Sequence, residues 1–161
     1  MSERSDPGIR VADDHPGSEV GAALVGAQWR ELMRRYGVPE ERNVSDDLEI
    51  DHLAPPDGVF LVGWAGDTPV ACGGVRRHDA TTGEVKRMYV APDHRGNGYS
   101  RALLRALEDR ARGLGYTRMV LETGTMQPEA IALYESEGYA SIEAYGFYAG
   151  APDERCYGKD L

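Results

Sequence analysis

Lysine is nearly absent from this chain: of 18 basic residues in 161, only Lys86 and Lys159 are lysines. Nearly all of its positive charge is therefore carried by arginine. Cysteine is as scarce. Cys72 and Cys156 are the only two, which excludes a disulfide-rich secreted scaffold; both lie in strand-like runs and are expected as buried free thiols in a reducing cytoplasm. No apolar run reaches bilayer-spanning length, and no apolar segment follows Met1–Asp6, so neither a membrane span nor a signal peptide is expected. His15, His52, His78 and His94 are scattered without metal-ligand spacing, and no metal is expected. A net charge of −9 argues against nucleic acid as a partner. No Gly-Lys-Ser/Thr follows a glycine turn, which excludes a P-loop.

What the chain does have is concentrated between Glu84 and Leu104. Val85 to Val90 is rich in β-branched and aromatic residues and is closed by Pro92, as a buried strand would be. Arg95-Gly96-Asn97-Gly98 can bend without Cβ clashes. From Ser100 on, Leu103, Leu104, Leu107, Ala111 and Leu114 recur at helical spacing. A glycine turn feeding a helix N-terminus aims backbone N–H groups and the positive dipole end at one point, and a phosphate suits that point. The dinucleotide fingerprint Gly-x-Gly-x-x-Gly fails, because Arg101 stands where the third glycine belongs.

Charge is distributed to match. Residues 84–118 hold 8 Arg/Lys against 4 Asp/Glu, while 1–50 hold 6 against 11, 51–83 hold 2 against 4, and 119–161 hold 2 against 8. The one net-positive segment is the one that would meet a phosphorylated ligand. Helical pairs such as Arg105–Asp109 and Glu108–Arg112 account for part of that charge.

The remaining pattern reads as a first strand at Ile9 to Val11 and an amphipathic helix from Ser18 to Tyr36 stopped by Gly37. An acidic loop over 38–58 follows, with a short helix around Asp46 to Ile50. A hairpin then turns at Gly66-Asp67, joining Val59–Trp64 to Pro69–Arg76. After the strand at Glu84 and the helix Ser100 to Leu114 come a strand at Arg118–Glu122, a helix Pro128–Glu137, and strands near Ala140–Ala144 and Arg155–Lys159. Hairpin strands followed by a β-α-β crossover give a mixed α/β sheet with helices on both faces.

Arg95-x-x-Gly98-x-Ser100 resembles the pyrophosphate loop of the GNAT superfamily of acyl-CoA-dependent N-acetyltransferases, Gln/Arg-x-x-Gly-x-Gly/Ala, with serine at the last position. Serine is small enough for close approach, and its hydroxyl is able to cap the helix or meet a phosphate. Gln127-Pro-Glu-Ala130-Ile-Ala-Leu-Tyr134-Glu-Ser-Glu-Gly138-Tyr139 is similar to the family's later Asn-x-x-Ala-x-x-Leu-Tyr-x-x-x-Gly-Phe. The resemblance runs from about Val59 to the C-terminus. It implies one domain over 1–161, with a mostly antiparallel sheet of six or seven strands and about four helices. The implied activity is transfer of an acetyl group from acetyl-CoA to a primary amine.

Residue roles follow from the same resemblance. The cofactor would be held by Met88, Tyr89 and Val90, by the loop residues Arg95, Gly96, Asn97, Gly98, Tyr99, Ser100 and Arg101, and by Gln127 and Ala130. Tyr134 shares a helix face with Gln127 and Ala130 and is the expected general acid, or else a core tyrosine. Glu84, eleven residues before Arg95, is the candidate general base, or a structural acid paired with Lys86. Strand alternation would place Glu84, Lys86 and Met88 on one face.

The acceptor pocket would draw on Tyr36, Phe60, Arg76 and Tyr145, with Arg77, Phe147 and Tyr148 nearby. Aromatics suit a cationic amine and an arginine pair suits a carboxylate, so the acceptor stays open. A small molecule is favoured over a protein lysine or N-terminus, and a non-catalytic CoA-binding module is the reading from another class. Exposed strand edges leave a homodimer open.

Overall fold

The structure is a computed structural model that describes residues 8–37, 51–146 and 149–161. The helix expected at Asp46 to Ile50, and Phe147 and Tyr148, lie outside these residues.

Seven strands form one sheet: β1 (Arg10–Asp13), β2 (Val59–Ala65), β3 (Thr68–Arg77), β4 (Thr82–Val90), β5 (Arg118–Gly124), β6 (Ala140–Ser141) and β7 (Glu154–Asp160). Their order is β1-β2-β3-β4-β5-β7-β6, and every neighbouring pair is antiparallel except β4 and β5. That parallel pair needs a crossover, which α2 (Tyr99–Gly113) supplies. The other α-helices among the described residues are α1 (Glu19–Tyr36) and α3 (Pro128–Ser136), with a 3₁₀ turn at Pro92–His94. About four helices were the expectation; three α-helices are described.

α1 starts where Ser18 accepts a hydrogen bond from the Gly21 N–H at 2.9 Å and ends at Gly37, whose φ of 67° is left-handed. The sheet separates two apolar layers. On one face Leu103, Leu104, Leu107 and Ala111 of α2 pack on Val75, Val85, Met119 and Leu121. On the other, Leu24 of α1 packs with Leu53, Phe60, Val62 and Cys72. Leu107 has no exposed surface, so Leu107→Ala should cost about 2–5 kcal/mol. Urea unfolding reads this as a lower midpoint at unchanged slope, and a loss below about 1 kcal/mol would contradict the packing described.

Two irregularities shape the middle of the sheet. β3 pairs Cys72 with Tyr89 but Gly74 with Lys86, so one residue opposes two and β4 bulges. Arg87, within the bulge, has φ of 61°. The bulge corrects the expected alternation. Glu84, Lys86 and Tyr89 share the α1 face, while Met88 crosses to the α2 layer and lies over Gly73. Then β4 and β5 part: they pair only at Thr82–Glu84 with Arg118–Val120. Beyond Glu84, β4 and β5 no longer pair as strands. Among the described residues no helix is long and apolar enough to cross a membrane.

Candidate active site

A cleft opens where β4 and β5 part. It is lined by Met88, Tyr89 and Val90 of β4, by His94, Arg95, Gly96, Gly98, Tyr99 and Ser100, by Gln127, Glu129, Ala130, Leu133 and Tyr134, and by Gln28, Glu31, Leu32 and Arg35 of α1. Ten of the twelve expected cofactor residues are therefore brought together, with Tyr134 beside them.

The glycine turn has the geometry its sequence requires. Gly96 and Gly98 have φ of 82° and 80°, in the left-handed region. α2 begins at Gly98 with no side-chain cap and no acid in its first turn. The first intrahelical bond belongs to the Ala102 N–H, donated to the Gly98 carbonyl at 3.1 Å. The N–H groups of Tyr99, Ser100 and Arg101 thus lack helical acceptors and point out of the helix end, as an anion site requires. Ser100 does not cap the helix; it lines the cleft.

Two loop residues fall outside the cleft. Asn97 donates its Nδ2 to the His94 carbonyl at 3.1 Å and so fixes the turn. Arg101 reaches away to Glu137 and to Ser136 Oγ at 2.9 Å. Arg105 joins the same Glu137 at 3.0 Å rather than Asp109. Glu108 accepts from Tyr139 and Lys159, both at 2.9 Å, rather than pairing with Arg112. Arg105 and Glu108 are thus drawn to the end of α3 and to β7, while Asp109 and Arg112 pair with each other within α2 at 2.9 Å.

α1 supplies the residues that sequence reasoning missed. Glu31 accepts from Arg95 at 2.6 Å and from Arg35 at 2.7 Å, and Arg35 also pairs with Glu129. Burial opposes ionisation of Glu31, yet the hydrogen bond and charge of Arg95, together with Arg35, hold its pKa below the ordinary value. Gln28 donates Nε2 to the Met88 carbonyl at 3.3 Å, while its buried Oε1 has no hydrogen-bond partner among the described residues. That orphaned acceptor, beside the stretch of β4 that does not pair with β5, fits the amide-bearing arm of CoA. The signal was present in sequence: Gln28, Glu31 and Arg35 are polar at spacings of three and four, on one face of the helix.

A second group of side chains lies on the α1 face of the sheet. Glu84 has no exposed surface; its Oε1 accepts from Arg76 Nε at 2.6 Å and its Oε2 from the Tyr145 hydroxyl at 2.9 Å. Burial and this carboxylate push the Tyr145 phenol far above the usual tyrosine range. Glu122 and Glu154 have carboxyls within 4.8 Å of each other and of Cys156. Burial, then the hydrogen bond and charge of Glu154, push Glu122 up to about 8. Tyr36 holds its hydroxyl against Gly124 and accepts from Gln127 Nε2 at 3.3 Å. Phe60 corrects an expectation: it is 1% exposed inside the apolar layer with Leu24, so it shapes the core rather than an acceptor pocket. Leu24 of α1 and Leu53 enclose it, which strand propensity alone does not reveal.

Comparison with known proteins agrees with this geometry. The family described as "Acetyltransferase (GNAT) family" matches residues 26–139. A protein of Azospirillum brasilense named "IAA acetyltransferase" is 37% identical over 147 residues, which cover 91% of this chain and 94% of that protein. A Klebsiella pneumoniae structure assigned as an acyl-CoA N-acyltransferase has a TM-score of 0.79 at 28% identity, covering 97% and 99% of the two chains. A GNAT family acetyltransferase from Elizabethkingia anophelis, solved with acetyl-CoA bound, has a TM-score of 0.72 at 17% identity, covering 97% and 100%.

Proposed function

Because this chain belongs to the GNAT family of acetyltransferases and is an acyl-CoA-dependent N-acetyltransferase, we propose that it moves the acetyl group of acetyl-CoA directly onto a primary amine of a small molecule. The observation that carries this reading is the parting of β4 from β5 directly beside the uncapped start of α2. Acetyl-CoA supplies an activated thioester carbonyl. The N–H groups of Tyr99, Ser100 and Arg101 would bind its phosphates, and Arg95 adds positive charge. The stretch of β4 that has parted from β5, together with Gln28 Oε1, would hold its amide groups.

Tyr134 is the proposed acid at the leaving sulfur. Burial raises its phenol well above the ordinary tyrosine value, so it stays protonated and offers a hydrogen bond to the developing thiolate. The amine must also lose a proton, since at a pKa of about 10.4 roughly one alkylamine in a thousand is neutral at pH 7. Glu84 is the sequence's candidate for that proton, and both its oxygens are engaged by Arg76 and Tyr145. The name of the Azospirillum relative supports a small acceptor. A homodimer would extend the sheet through β1 or β6, its two edge strands.

Thermal unfolding with acetyl-CoA, desulfo-CoA and NAD tests the cofactor. A ligand at 100 times its Kd should add about 2.7 kcal/mol, a shift of several degrees. Shifts with both CoA species but not with NAD are expected. No shift with either CoA species would end the enzymatic reading. Label transfer to a proteome but to no amine in a panel would favour a protein-acetylating activity.

A further inference from the structure

We propose that Glu122, rather than Glu84, takes the proton of the attacking amine, an inference that rests on the acetyl transfer proposed above. The argument begins with position. β4 pairs with β5 only as far as Val120. Glu122 is the next residue of β5 on the same face, so it stands where the strands part and the acyl group would meet the acceptor.

The two carboxylates differ in their partners. Glu84 is fixed by a cation and a phenol, one on each oxygen. Glu122 has a buried Oε2 with no hydrogen-bond partner among the described residues. Its carboxylate lies against Gly146, where any Cβ would collide with it. The groups facing it come from three sides: Glu154 and Cys156 from β7, Glu84 and Lys86 from β4, and Tyr145 from the segment after β6, bonded to Glu84. Cys156 is itself turned to Glu154 Oε1 at 3.0 Å. Burial, Glu154 and Glu84 raise the affinity of Glu122 for a proton and Lys86 lowers it, leaving it poised near neutral pH as a general base should be. The same negative groups favour a cationic amine as the acceptor.

In the step, one ammonium proton passes to Glu122 Oε2. The freed lone pair forms the C–N bond to the thioester carbonyl carbon, and the C–S bond breaks with its electron pair on sulfur. A second nitrogen proton goes to that sulfur by way of Tyr134. Glu122 returns its proton to water, so each turnover yields one amide, one thiol and one proton.

The test uses the full-length protein, with thiol release measured on spermidine, tyramine and free lysine from pH 6 to 10. The fastest of these is carried into pH profiles. In the wild type, kcat/KM should rise through a limb near pH 8, because only ionised Glu122 accepts a proton. Glu122→Gln should lose about 100-fold in kcat and lose that limb, while desulfo-CoA still raises its melting temperature as in wild type. Glu154→Gln, which leaves Glu122 in place, should move the limb to lower pH by removing the neighbouring negative charge. The amine's own limb, near pH 10, should stay put in every variant. Wild-type rates in Glu122→Gln, or a limb that moves with neither variant, overturn the proposal; so does a limb abolished only by Glu84→Gln. No amine-dependent thiol release by the wild type on any of the three would instead sink the acetyl-transfer reading, and this inference with it.

Discussion

Tyr134→Phe should lower kcat at least about tenfold and leave the affinity for acetyl-CoA within about twofold. The substitution removes one hydroxyl and nothing else. Tyr134 is 6% exposed and belongs to the α2-side core, with its ring edge-on to Tyr139 at 5.7 Å between centroids. Phenylalanine keeps those contacts, so the melting temperature should hold. The phenol is pushed above its ordinary pKa by burial, so it remains a donor throughout the working pH range. A donor aimed at charge that appears only as sulfur leaves acts on kcat and not on binding. Steady-state kinetics with a desulfo-CoA titration separates the two effects. An unchanged kcat would remove Tyr134 from the mechanism and leave it as a core residue.

The second large effect is on stability. Arg76→Met should destabilise the fold by about 3 kcal/mol, because Glu84 loses its counter-charge in a fully buried position. Removing one member of such a pair costs more than removing both, since the cost lies in the charge left behind. The double substitution with Glu84→Gln should therefore recover more than half of the loss. Arg76 is 29% exposed, which places the expectation at the lower end of the range for buried pairs. Denaturant unfolding of the two variants decides it. A single variant as stable as the wild type would mean that water or the Tyr145 hydroxyl alone satisfies Glu84.

Much of the cleft was legible because its determinants are local. Gly96 and Gly98 sit in conformations that glycine adopts without cost, and the apolar spacing after Ser100 is that of one helix face. The tyrosine of the second motif needed only its own helix to be placed beside Gln127 and Ala130. The bulge in β4 was not legible. It falls on Arg87, whose side chain gives no hint of a φ of 61°, and it moves Met88 to the opposite face. The direction of the Arg101 side chain was not legible either: expected at the cofactor by resemblance, it reaches Glu137, 36 residues away.

The order of strands and helices, the glycine turn before α2 and the family could all be read from spacing along the chain. Each rests on spacing between near neighbours, where backbone geometry leaves few choices. Tertiary structure alone decided which carboxylates are neutralised. Arg76 and Tyr145 converge on Glu84 from β3 and from beyond β6, whereas β5 and β7 bring the carboxyls of Glu122 and Glu154 within 4.8 Å of each other. Charge is the long-range part of the chain's chemistry, and in a buried site its effect is set by which groups the fold brings within a few ångströms.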